Sequence, residues 1–197
     1  QAAAVETVAA VVRARAAEGG NDGLATAATE LETPPTQWWL GTSWPVFGLP
    51  AERHYRRARL ALESANHNIA ARTSGTFAAS PRDRRTALQA LQLAIDSEVA
   101  RGDALVKNPR AASVPVQIAR ARGTAYAAAL LLRGLNEDSA AAVRDSGRAA
   151  RWGEAIDALD SVAGLDPLLP SDEHLVRAGY ALMIASNALR AIQEGER

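Results

Sequence analysis

Cysteine is absent from this 197-residue chain, which removes thiolate nucleophiles, iron–sulfur ligation, cysteine-type zinc sites and disulfides together. The chain is therefore indifferent to redox compartment, and the lack of even one thiol leans toward the cell envelope. Aromatic residues make up only 5% of it, too few for an architecture of strands, which draw on aromatic and β-branched side chains. Histidine is scarce: His54, His67 and His174 are all there is. None of these is paired one helical turn from another, and no HExxH is present, so no metal is expected. Charge of one sign is missing too. With 22 basic and 22 acidic residues, no global field attracts nucleic acid, and none is expected as a partner. No long apolar run occurs. Even Ala125 to Leu132 is bounded by Arg120, Arg122 and Arg133, well short of the ~18 apolar residues of a membrane span. Phosphate loops and nucleophile elbows are lacking as well. Gly19-Gly20-Asn21-Asp22-Gly23 follows a helix pattern and has no GK[ST], and there is no GxSxG. No cofactor is implied.

What the chain has in quantity is alanine, the main source of its 48% hydrophobic content and the strongest helix former. The pattern predicts an all-α fold of about six helices in a mostly antiparallel bundle, one domain over residues 1–197. A first helix reads from Ala2 to Ala17 with Val5, Val8, Ala9 and Val12 on one face, and stops at the glycine cluster. Residues 24–48 read as an irregular region that ends in an aromatic loop, Gln37 to Gly48. A second helix starts at Pro50 and runs to Arg72, with Tyr55, Ala58, Leu62, Ala65 and Ile69 as its seam. Ser80-Pro81-Arg82-Asp83 opens a third, which turns Leu88, Leu91, Ile95 and Val99 inward and stops at Gly102. The fourth, Ser113 to Leu135, carries apolar residues on several sides and belongs in the centre, with Gly123, Ala127 and Ala128 allowing close approach by a neighbour. Asn136 to Gly147 reads as a short or broken helix. The last third forms a hairpin: Trp152, Ile156, Leu159 and Val162 on one helix face Leu175, Gly179, Leu182, Ala185, Leu189 and Ile192 on the next, across Gly164 to Ser171.

Four places carry candidate chemistry. Trp38, Trp39, Trp44 and Phe47 crowd one short loop, either plugging the end of the bundle or offering a partner-binding surface at a protein or membrane interface. Arg53, Arg56 and Arg57 form a cluster with Tyr55 among them. An ion-paired surface is the preferred reading of it, with an anionic-ligand patch for phosphate or lipid headgroups as the alternative. Tyr126, His174 and Tyr180 are candidates to line a small-molecule pocket among the alanine-rich helices. Asp157, Asp160 and Asp166 are the best carboxylates for acid–base work, but the first two share a helix face opposite Ile156 and Leu159 and read as solvated surface. No residue is assigned a catalytic role.

Several phrases resemble a family of bacterial proteins of unknown function that have one N-terminal inner-membrane helix followed by a helical periplasmic domain. They are Trp152 with its amphipathic helix, Leu165-Asp166-Pro167-Leu168, His174-Leu175 and Gly179-Tyr180; Gly123-Thr124-Ala125-Tyr126-Ala127 before Leu130-Leu131-Leu132-Arg133; and Tyr55-Arg56-Arg57-Ala58 with Leu62 and Asn66. Ala65 and Glu173 depart from that pattern, as does the stretch from Phe77 to Leu88. The resemblance implies a periplasmic location and a membrane tether upstream of Gln1, and offers no catalytic residue. The expectation is a non-enzymatic envelope domain acting in protein–protein interaction or as an accessory subunit of a membrane complex. The alternative is a helical small-molecule binder or enzyme.

Overall fold

The computed structural model describes residues 1–19, 21–32, 50–72, 81–107, 114–140, 148–166 and 171–195. These form seven helices and, among the described residues, no strand: α1 (Ala2–Gly19), α2 (Asp22–Leu31), α3 (Pro50–Arg72), α4 (Pro81–Lys107), α5 (Val114–Asp138), α6 (Ala149–Ala163) and α7 (Asp172–Glu194). The expected all-α bundle is present, with one helix more than about six.

The additional helix is α2. Residues 24–31, which lie within the expected irregular region, are helical because Asn21 caps them: its side-chain oxygen accepts from the backbone N–H of Gly23 at 3.0 Å and of Leu24 at 3.3 Å. Those donors have no partner inside a helix, and Asp22 adds a favourable charge in the first turn. Gly19 therefore closes α1 and Gly23 lies in the first turn of α2, so the second helix starts within the glycine cluster. Helix α4 also outruns its expected stop, since Gly102 lies inside it and the chain stays helical to Lys107. A helical glycine costs only about 0.5–1 kcal/mol relative to alanine. Leu105, one turn on, packs against Val114, Ile118 and Leu175, which offsets that cost. At α7 the Ser171 hydroxyl caps the helix, accepting from His174 N at 3.2 Å, with acids at Asp172 and Glu173 in the first turn.

Helix directions follow from their cross-contacts. Arg15 and Glu18 near the end of α1 pair with Asp83 and Arg82 at the start of α4, so α1 and α4 run antiparallel. Glu98 late in α4 meets Gln117 and Arg120 early in α5. Gln193 donates to Gln92 at 2.9 Å and Ser186 to Asp96 at 2.6 Å, which sets α7 antiparallel to α4. Gly195, at the end of α7, lies against the Arg148 side chain just before α6, closing the C-terminal hairpin. Glu30 of α2 meets His54 and Arg57 of α3, and Gly23 sits against Ala61 and Ala65. The chain therefore runs up and down through consecutive helices.

The main core joins α1, α4, α5, α6 and α7. Leu88, Leu91 and Ile95, Leu132, Trp152 and Leu159, and Leu182, Leu189 and Ile192 are all fully buried, each large apolar side chain contributing about 1.5–3 kcal/mol. Helix α1 has two working faces. Val11 and Ala14 join the main core, while Ala9 with Val5, Val8 and Val12 packs against Leu31 of α2 and Ala58 of α3. The α2–α3 hairpin is in this way carried on the outer side of α1, and α5 lies beside α1 on the core side.

Candidate functional site

An open apolar cavity of about 380 Å³ lies where α1, α2, α3 and α5 meet. Val5 and Val8 come from α1, Leu31 from the last turn of α2, Tyr55 from the first turns of α3, and Tyr126 and Leu130 from α5. Near the cavity α1 and α5 approach closely at Gly123. A Cβ placed on Gly123 would lie 3.2 Å from the backbone nitrogen of Ala4, and Ala4 itself lines the cavity. The close approach expected of Gly123 is therefore made, and α1 is what it admits. Among the described residues every lining side chain is uncharged, and the wall is almost wholly apolar. Burial pushes the Tyr55 phenol above its usual range.

Of the three residues expected to share a pocket, only Tyr126 reaches this cavity. His174 and Tyr180 sit on α7 and are not among its lining, and Tyr180 is 66% exposed. The physical reason is helical phase. Tyr180 is on the far side of α7 from Leu182 and Leu189, which face the core. Tyr126 is joined on the cavity wall by Tyr55, which the seam spacing of α3 had placed in the core and which is 40% exposed.

Within the arginine cluster, Arg57 is ion-paired. Arg57 lies 3.5 Å from Glu30, and the same carboxylate is bonded to His54 Nδ1 at 2.5 Å, so Glu30 clamps α2 to α3 beside the cavity rim. Arg59 pairs with Glu63 one turn on at 3.0 Å. Arg53 and Arg56 are exposed on α3. Exposed pairs of this type contribute about 0–1 kcal/mol each. Asp160 pairs with Arg133 and Asp157 is exposed, matching the solvated-surface reading of both acids. Trp38, Trp39, Trp44 and Phe47 lie outside the described residues.

One polar centre goes unnoticed in the sequence. The Glu98 carboxylate is 3% exposed and accepts from Arg101 at 2.5 Å, Gln117 at 3.1 Å and Arg120 at 3.2 Å. Arg120 also donates to Glu6 of α1 at 2.7 Å. That hydrogen bond is the main reason its guanidinium is held above its ordinary pKa, against the opposing effect of burial, with Glu98 adding to the rise. A small polar crevice of about 130 Å³ opens beside Glu98, lined by Thr7, Ser97 and Thr124 among others. With its charges already matched, this centre ties three helices together and presents no free acid or base. The signal was legible in principle: Leu91, Ile95 and Glu98 fall at four- and three-residue steps on one face of α4.

Among the described residues there is no group of three or more His, Asp or Glu placed to hold a metal ion, and no helix long and apolar enough to cross a membrane. No family model, no curated protein and no solved structure matches this chain.

Proposed function

We propose that this chain is a non-enzymatic helical domain of the bacterial envelope that works by protein–protein interaction, as an accessory part of a membrane complex. The observation that carries the reading is on α7. One face of that helix is buried in the core, and the opposite face presents Val176, Tyr180 and Met183, each about half to two-thirds exposed. Spaced four and three residues apart, they form one continuous stripe. A surface helix ordinarily turns charged and polar side chains to solvent at those positions. Here the polar residues, Arg177, Asn187 and Arg190, flank the stripe and continue it. An apolar patch with a polar rim is the usual form of a partner surface, and tyrosine is enriched where such surfaces bind most strongly. Envelope location rests on the resemblance of the C-terminal hairpin and the α5 phrases described above. The aromatic stretch with Trp38, Trp39, Trp44 and Phe47 supplies a second candidate partner surface.

Co-purification from cells that make the chain tests this reading. Tyr180→Glu places a charge in the stripe at an exposed site, and the double change Trp38→Ala with Trp39→Ala removes half the tryptophans. Loss of a co-purifying protein in either variant, with the helical circular dichroism intact, is the expected result. Unchanged co-purification in both contradicts the reading.

A further inference from the structure

We infer that the exposed stripe of α7 pairs with the same stripe on a second copy of this chain, the two helices running antiparallel about a two-fold axis. The inference rests on the interaction reading of α7 and names its partner.

Spacing carries the inference first. Glu173, Val176, Tyr180, Met183, Asn187 and Arg190 follow one another at alternating three- and four-residue steps, and all of them are exposed. That is the seam spacing of two helices wound around each other, in which the side chains of one fit between those of the other. It is a second row on α7, separate from the one that already has neighbours. Leu182, Leu189 and Ile192 lie on the buried face, which packs against α4, α5 and α6.

The order of residues along the seam then selects the occupant. The seam begins with an acid, Glu173, holds its apolar side chains towards the middle, and ends with a base, Arg190; Glu194 falls one step beyond it. From Glu173 to Arg190 the steps read three, four, three, four, three, the same from either end. An isologous pair needs this self-complementarity. A two-fold axis between Tyr180 and Met183 sets Tyr180 of one copy against Met183 of the other, Val176 against Asn187, and Glu173 against Arg190, each layer occurring twice. A parallel pair sets Glu173 against Glu173 and Arg190 against Arg190, which like-charge repulsion disfavours. Exposed ion pairs add little affinity, so the end charges fix direction and register while the large side chains at the centre supply the contact. The seam is about 25 Å long at a rise of about 1.5 Å per residue. One helix pair of that length is a small interface, which places the equilibrium in the micromolar range or weaker.

Sedimentation velocity of the intact chain at rising micromolar concentrations tests the inference, and a reversible monomer–dimer equilibrium is expected. Glu173→Arg and Arg190→Glu each put like charges together at both ends of the pair, and each should weaken dimerisation by about tenfold or more. An equimolar mixture of the two variants restores both attractive end pairs, so it should dimerise as wild type does. Tyr180→Glu brings two carboxylates to the centre of the seam and should leave a monomer. Asp157→Arg, at an exposed position on α6, should change nothing. Circular dichroism of each variant confirms that it is folded, and Tyr180→Glu keeps the test open if a charge reversal is not. A wild-type monomer throughout, a dimer that the folded seam variants leave unchanged, or a mixture that stays monomeric overturns the inference. Should wild type be monomeric while Tyr180→Glu still loses a different co-purifying protein, the inference falls and the α7 reading stands; with no partner of either kind, both fall.

Discussion

Glu98 of α4 and Arg120 of α5 meet at 3.2 Å in a setting where the carboxylate is 3% exposed, and Arg120 reaches on to Glu6 of α1. This carboxylate therefore ties α4 to α5, and through Arg120 the same centre reaches α1. Replacing it with an uncharged amide of the same shape removes the charge that Arg101, Gln117 and Arg120 all address. Glu98→Gln is expected to cost about 1.5–3 kcal/mol, the range for a hydrogen bond to a charged group. Urea unfolding with an unchanged slope would check it.

Two glycines inside helices should respond in opposite directions. A Cβ on Gly123 would sit 3.2 Å from the Ala4 nitrogen and 3.3 Å from the Ala3 Cβ, so α1 must move. Gly123→Ala is expected to destabilise by about 1–3 kcal/mol. At Gly102 a Cβ meets nothing within 4 Å, and Gly102→Ala should stabilise by about 0.5–1 kcal/mol. Thermal unfolding of the pair reads both signs.

How much of this was open to the sequence differs by element. The inward rows of α4, α6 and α7 were legible because each repeats at three- and four-residue steps: Leu88, Leu91 and Ile95, then Trp152 and Leu159, then Leu182, Leu189 and Ile192. Helix α2 was hidden by the glycines around its start, although Asn21-Asp22 is a capping signal once read as a start and not a stop. The cavity was not legible, because it is made by four helices meeting. Tyr55 and Tyr126 lie on separate helices, and no spacing within one helix announces a wall shared by several.

The C-terminal hairpin should depend on Trp152 more than on any other side chain of α6. It is 1% exposed and is the largest of the fully buried residues, so Trp152→Ala removes its burial and leaves a void. The expected cost is about 3–5 kcal/mol, measurable as a fall in the denaturation midpoint with the helical signal retained at low urea.

Tyr55 predicts a limb of instability at alkaline pH. Burial raises its phenol above the ordinary value of 10.0, so the folded chain favours the neutral form. The contribution is full below pH 10 and is lost as the pH rises through the raised value, where the phenolate forms against the apolar wall. Partial exposure keeps the effect small. Tyr55→Phe should lose less stability than wild type between pH 9 and 11, as read by thermal melts across that range.

Site-specific photo-crosslinking in living cells tests the proposed function most directly. A photoreactive phenylalanine analogue at Tyr180 or Met183, on the exposed stripe of α7, is predicted to trap the same discrete partner from both positions. The analogue at Asp157 or Leu93, exposed elsewhere on α6 and α4, should trap none. Absence of an adduct at the stripe, or the same adducts from all four positions, would contradict the account.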